Sequence, residues 1–278
     1  MNKIKVILNE LLPNLSLVWS VARYENHAVF QGHTFGVAWE ILDPLIQIAI
    51  NFFVFGTLRG NSEVQVGLND YSYTYVSFLA WMLVGQSAWL FMSRVTLLGS
   101  KSVSNKIKLV SKMKFPSSIL PAMSISGKVT AYFVTLTAVL AIVILNGFSP
   151  TLYWLQAFYY IFAMFIFMYF FALLNSTLTM IFKDYHQILG PIVRILFFFS
   201  GVVWRIGEAG NFPRWFLSLL DLNPFAYIIT GFRYTFFSQA YFWQHPETTI
   251  FFWGLMLCLA IYASYLHLKY RSKFFDLA

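Results

Sequence analysis

The sequence predicts an all-α membrane protein. It should have six transmembrane helices, interfacial amphipathic helices at the N-terminus, a basic cytoplasmic helix after span two, and an external re-entrant hairpin between spans five and six. Three observations lead there. Hydrophobic residues make up 59% of the 278 and charged residues only 11%, against about 25% charged in soluble domains. Several charge-free runs are long enough to cross a bilayer, which takes roughly 20 residues. Lysine and arginine gather on one side of those runs, as short cytoplasmic loops require. The alternating ten-residue segments of an outer-membrane barrel are absent. The net charge of +8 follows membrane topology and forms no surface patch, so no nucleic-acid partner is expected. The one cysteine, Cys258, lies in an apolar run and excludes an intrachain disulfide.

Residues 1–36 form a first unit that is too polar to span. Ile4, Leu8, Leu11, Leu15, Val18 and Trp19 recur three or four apart, the spacing of a helix lying in the interface, and Pro13 divides it. Lys3 and Lys5 open it like a secretory signal. Asn9, Glu10, Pro13 and Asn14 interrupt the apolar stretch, however, and no small-residue cleavage site follows, so the segment is expected to be retained. Arg23, Tyr24, His27, Phe30 and His33 continue a mixed aromatic and basic face to Gly36.

Residues 37–278 make up the transmembrane domain. Span one, 37–58, begins with Trp39, Glu40, Asp43 and Pro44; the carboxylates must stay near headgroups or face protein, because a carboxylate in lipid is costly. A polar loop runs from Arg59 to Tyr73. Span two, 75–97, holds Trp81 and Trp89, with Arg94 at its lower end. Between Val129 and Phe182 there is no charge, and the turn cluster Asn146–Pro150 divides this stretch into spans three and four. After the polar turn Phe182–His186, span five covers 188–206 and carries Arg194. Between Gly207 and Glu247 two apolar pieces, 215–222 and 225–237, are each too short to cross and flank Asn223-Pro224. They read as a re-entrant hairpin, allowed only where protein or an aqueous cavity covers its broken backbone. Span six, 248–267, closes on Lys269, Arg271 and Lys273. An even span count puts both termini on the side of the basic loops, the cytoplasmic face of the cell membrane.

Lys101–Pro121 is the most basic stretch, with Lys101, Lys106, Lys108, Lys112 and Lys114 and no acid. Ile107, Val110 and Met113 recur at helical spacing, and Phe115-Pro116 ends the helix. Two readings stand: a topological anchor, or a handle by which a cytoplasmic partner moves the spans.

Chemistry of its own is not visible in the chain. No G-x-x-x-x-G-K-[ST] loop occurs, so ATP is not bound that way. His27, His33, His186, His245 and His267 are scattered without metal spacing. No G-x-S-x-G elbow is present. A membrane-embedded lipid or sugar transferase needs a reacting pair, and a secondary carrier needs internal symmetry; neither feature is found.

Four motifs in order carry a resemblance. They are Arg23-Tyr24 through Gly36 with Trp39 and Asp43-Pro44-Leu45; the lysine segment ending Lys114-Phe115-Pro116, then Ile119-Leu120-Pro121; Phe182-Lys183-Asp184; and Asn223-Pro224 followed by Gly231-Phe232-Arg233. In these the chain resembles, over nearly its whole length, the permease subunit of ABC exporters for polysaccharides and teichoic acids, nearest the wall teichoic acid permeases. The resemblance implies a homodimer joined to two copies of a separate nucleotide-binding ATPase subunit, which holds ATP and Mg; this chain holds no cofactor and is not itself an enzyme. It also implies export of a polyprenyl-diphosphate-linked polymer, teichoic acid, with O-antigen or capsular polysaccharide as the alternative.

Lys106, Lys108, Lys112, Lys114, Phe115 and Pro116 would then couple to the ATPase, and Asn223, Pro224 and Arg233 would belong to the external hairpin. A diphosphate wants cations at headgroup depth, and Arg23, His27 and Lys183 are placed to supply them. Trp39, Phe52, Trp81, Trp89, Phe198 and Trp204 offer rings over which a glycan slides, or else pack and face lipid. Arg194 faces a pore, snorkels, or pairs with Asp184 or a carbonyl.

Overall fold

Pro13 breaks the first amphipathic stretch. In the computed structural model, α1 (Asn2–Leu11) and α2 (Leu15–Phe30) are joined by a 3-10 turn at Leu12–Asn14. The structure describes residues 2–30, 34–59, 63–69, 72–113, 115–182, 184–204, 213, 217, 220 and 222–274. Ile7, Val18 and Ala22 are buried, while Val6, Leu12, Leu15 and Trp19 stay exposed, so the two helices rest one face on the bundle and offer another apolar face outward.

The segment expected as span one forms α3 (Trp39–Arg59). The polar loop after it departs from the all-α expectation. Strands β1 (Glu63–Asn69) and β2 (Ser72–Ser77) pair antiparallel, with Val64 opposite Val76 and both buried. The alternation Glu63-Val64-Gln65-Val66 and Thr74-Tyr75-Val76-Ser77 has the period of a strand, but hydropathy alone places Tyr75 and Val76 in span two. That span is α4 (Phe78–Ser100), which begins three residues later, where Ser77 caps it by accepting from the Ala80 N–H.

The bundle is built around α4, which packs against α3, α6 (Leu120–Leu145), α7 (Ala157–Ile181), α8 (Tyr185–Phe199) and α9 (Pro224–Phe236). It buries Gln86, Ser87, Thr96 and Ser100 alongside its apolar residues. A helix surrounded by protein is not selected for lipid solubility, and α4 is less uniformly apolar for that reason. The basic segment forms α5 (Ser102–Met113), and α6 (Leu120–Leu145) and α7 (Ala157–Ile181) are separated at the expected turn.

Among the described residues four helical stretches are long and apolar enough to cross a membrane: Lys3–Glu25, Ser117–Leu145, Leu152–Ile181 and Pro246–Lys273. The first of these is the segment the sequence assigned to the interface. Its Pro13 break and its contacts along α6 and α10 (Pro246–Tyr270) describe a helix pair laid on the bundle.

The expected fifth span, 188–206, is not one helix. α8 (Tyr185–Phe199) stops after 15 residues, and Gly201 turns the backbone at φ +64°. α8 runs antiparallel to α4, with His186 beside Ser100 and Phe197 beside Trp89, so it ends about halfway along α4. The chain returns at Asn223, and α9 (Pro224–Phe236) starts there, with Phe225 beside Trp89 and Arg233 beside Trp81. α9 therefore occupies the half of the bundle that α8 leaves empty. Asn223 joins the two. Its side-chain oxygen accepts from the Phe225 N–H, while its amide donates to the Phe199 carbonyl and the Ser200 hydroxyl.

Candidate functional site

The lysine end is assembled from segments far apart in sequence. α5 packs against α6 and α7 through buried Val103 and Ile107, and Phe115 is half-buried against the same core. Pro116 accepts from the Ile119 N–H and so starts the short turn into α6. In that turn Ser118 donates to Glu10 Oε2 at 2.6 Å, and Arg271 donates to Glu10 Oε1 at 2.8 Å. One carboxylate on α1 thus holds both the α5–α6 junction and the end of α10. Lys3 adds a cation–π contact, 3.9 Å above the Tyr265 ring.

His267 fastens the same junction from inside. The Thr177 hydroxyl already donates to the Leu173 carbonyl, so the His267 Nδ1–H donates to Thr177 at 3.0 Å. Nε2 is then left to accept from the Ser117 hydroxyl, also at 3.0 Å. The fully buried ring is a neutral bridge between α7, α10 and the α5–α6 turn.

The basic residues of α5 are not equivalent. Lys106 turns inward and pairs with Glu25 of α2, whereas Lys101 is exposed at the end of α4. The side chains of Lys108 and Lys112, and the whole of Lys114, lie outside the described residues. A further pair, Arg94 with Asp43 at 2.5 Å, ties α4 to α3 near the same end. Asp43 itself stays exposed, meeting the bundle through this one pair.

Of the remaining residues nominated from sequence, Arg23 is exposed on α2 and Trp39 is exposed at the start of α3, edge-on to Phe35. Arg194 and Phe198 are exposed on α8 along the same outward face as Ile188 and Ile195. Arg194 makes no ion pair with Asp184 among the described residues. The side chains of His27 and Phe52, and all of Lys183, lie outside the described residues. Trp204 is half-buried, and its indole N–H donates to the Phe198 carbonyl at 2.7 Å.

Trp81 and Trp89 are only 5% exposed. Trp89 lies between Phe197 and Phe225, and Trp81 lies under Arg233, so both rings are packed within the subunit.

Arg233, assigned from sequence to the hairpin around Asn223-Pro224, is buried, with its guanidinium 3.3 Å from the Trp81 ring centroid. It donates to the carbonyls of Gly201 and Val202 at 2.8 Å each and to that of Trp81 at 3.3 Å. Gly201 and Val202 belong to the irregular stretch after α8, where helical hydrogen bonds have ended. Unpaired carbonyls at that depth are costly, and the planar five-donor guanidinium satisfies them. Gly85 leaves room for it, since a Cβ there would come within 2.5 Å of an Arg233 nitrogen.

Sequence reasoning missed Glu10, Glu25 and His267 as fastenings. The signal was present in part: Glu10 and His267 are polar groups inside apolar patterns, the place where a buried partner is needed, while Glu25 sits in a polar run and carried no such signal. Which partner it finds depends on tertiary contacts more than 80 positions away.

The helical bundle, the basic helix at one end and the broken α8–α9 pair define the class. The chain belongs to the ABC-2 type transporter family, whose model matches residues 16–237. Among curated proteins it is similar to the O-antigen export system permease protein RfbA of Klebsiella pneumoniae, 22% identical over 243 residues, covering 87% of this chain and 88% of that one. It is similar to the protein of the same name from Myxococcus xanthus, 22% identical over 242 residues, covering 86% and 85%.

Proposed function

We propose that the chain is the membrane subunit of a polysaccharide exporter driven by ATP hydrolysis in a separate subunit, its cargo a polyprenyl-diphosphate-linked glycan of the O-antigen type. The observation that carries this reading is the similarity, along more than four-fifths of both chains, to two permeases named for O-antigen export. Those relatives favour O-antigen over the teichoic acid expected from the motifs. The absence of a phosphate-binding loop in the sequence supports an external motor.

In this reading both termini and α5 face the cytoplasm, and the chain crosses six times, with α8 and α9 as the two halves of a re-entrant unit. Two copies pair with two ATPase subunits. Lys108, Lys112 and Lys114, with Phe115 and Pro116, meet the motor, and Lys106, committed to Glu25, passes movement on to α2. Arg23, His27 and Lys183 meet the diphosphate, and the exposed α8 face with Arg194 and Phe198 borders the glycan path.

Deleting the gene should abolish surface polysaccharide, seen as loss of the high-molecular-weight ladder on electrophoresis, and the tagged protein should co-purify with an ATPase. Normal surface polysaccharide in the deletion strain would remove this function. ATP hydrolysis by the chain purified alone would remove the division of labour.

A further inference from the structure

The end of the bundle away from the lysines contains a cavity of about 230 Å³ between α7, α9 and the start of α10. Seven of its ten lining residues carry a hydroxyl or imidazole, five carry rings, and none carries a carboxylate, ammonium or guanidinium.

A directed hydrogen-bond relay stiffens one wall. The Trp253 indole N–H donates to the Tyr159 hydroxyl at 2.8 Å, and the Thr249 hydroxyl donates to the Phe242 carbonyl at 2.9 Å. Between them, Tyr159 and Tyr227 lie 2.8 Å apart, and Tyr227 and Thr249 lie 3.2 Å apart. With the Thr249 proton committed, Tyr227 donates to Thr249 and Tyr159 to Tyr227. The protons run one way, and the Thr249 oxygen keeps a lone pair for a ligand hydroxyl.

The opposite wall is set by Gly231. A Cβ there would lie 2.0 Å from Tyr160 Cε1, so only glycine lets the Tyr160 ring press against α9. At the mouth, exposed His245 stacks on Tyr234 with ring centroids 5.2 Å apart, beside exposed Pro246 and Glu247.

The chemistry selects among ligands. A phosphate finds no cation among the lining residues. An acyl chain would strip water from the polar groups of the wall without replacing the hydrogen bonds they make to it. A pyranose matches both features: its C–H faces lie on aromatic rings, and its hydroxyls donate to fixed acceptors. With a water's share of volume about 30 Å³, the cavity has room for roughly one sugar ring and not for a chain.

We propose that this cavity binds one neutral sugar residue of the exported glycan at the end of the bundle away from α5. The proposal rests on the polysaccharide reading above.

It is tested by saturation-transfer NMR on the full-length protein in nanodiscs. The probes are the methyl glycosides of mannose, galactose, glucose and rhamnose. Transfer to at least one is expected, with affinity lowered about five-fold or more by Tyr227→Phe, the loss of roughly one hydrogen bond. The rim variant His245→Ala, on an exposed side chain, should weaken binding by a similar factor without threatening the fold. No transfer to any of the four, or transfer undiminished in both variants, overturns the proposal. So does transfer to a short-chain phosphocholine lipid that the same variants abolish, which assigns the cavity to a headgroup. The two readings fail separately. Sugar binding together with normal surface polysaccharide in the deletion strain sinks export alone, and lost polysaccharide without sugar binding sinks the cavity alone.

Discussion

The two ends of the bundle are held together by different physics. At the lysine end, Glu10–Arg271, Glu25–Lys106 and Asp43–Arg94 are ion pairs between partly exposed side chains. At the other end the fastenings are stacked rings, such as Tyr153 on Tyr241 at 4.1 Å and Tyr227 on Phe252 at 4.5 Å, together with the Trp253–Tyr159–Tyr227–Thr249 relay. Partly exposed ion pairs are worth about 0–1 kcal/mol each and are screened by salt. Buried, satisfied networks are costly to open. The ion pairs of the lysine end can therefore exchange cheaply, whereas the buried His267 bridge beneath them resists opening, as the ring and hydroxyl contacts of the other end do. Arg233 joins the two regimes: it is a charge, yet buried, and it spends its donors on backbone.

The comparison can be broken most directly at Arg233. Arg233→Ala strands the Gly201 and Val202 carbonyls and should cost about 3 kcal/mol or more, at roughly 1–3 kcal/mol for each buried group left unpaired. Thermal unfolding in detergent should fall by roughly 6 °C or more, at about 2–4 °C per kcal/mol for a chain near this size. Arg233→Lys should recover less than half, because an ammonium cannot span the same carbonyls while stacking on Trp81. An unchanged melting point would show that the broken backbone is satisfied some other way.

Next in size is Gly231→Ala, which drives a methyl into Tyr160 and should cost about 1–3 kcal/mol by overpacking. The double variant Gly231→Ala, Tyr160→Ala should recover part of that loss, measured on the same melting curve.

At the lysine end the effects should be smaller. Glu10→Gln keeps one acceptor for Ser118 but loses the charge on Arg271, and should lower stability by about 1 kcal/mol or less, shrinking further in high salt. The exchanged pair Lys106→Glu with Glu25→Lys should restore most of whatever either single change removes, read as a double-mutant cycle. A loss at Glu10 as large as that at Arg233 would erase the distinction between the ends.

The smallest effect is in pH. His186 sits in the polar turn before the apolar part of α8, with its Nδ1–H donated to Ser100, whose own proton goes to the Leu97 carbonyl. Desolvation by burial, and then the charge of Lys101, lower its pKa below the ordinary histidine value. The folded state thus prefers neutral His186. The stability this contributes is present above about pH 6.5 and is lost as pH falls through the lowered value. His186→Gln should flatten that part of the melting-point profile, and an identical profile in the variant would contradict the assignment.

How legible each part was follows from the range of the interactions involved. Pro13, the turn at Asn146–Pro150, the helix of the lysine segment and its end at Phe115-Pro116 were readable because local backbone chemistry sets them. The β-hairpin at 63–77 was readable in principle, but its period-two signal was absorbed into the hydropathy of the next span. For the nominated aromatics, composition placed rings in spans, and only packing showed Trp81 and Trp89 turned inward while Phe198 faces out.

By itself the sequence determined that the chain lives in a membrane, which of its segments are helical and where its basic helix lies, because hydropathy, periodicity and proline act within a few residues. The tertiary structure alone decided that Glu10 holds the α5–α6 turn to the end of α10, that α8 and α9 each fill one half of the length of α4, and that Arg233 lies inside. Each of those rests on a buried polar group finding its partner from a distant element, and a lone residue type cannot name that partner in advance.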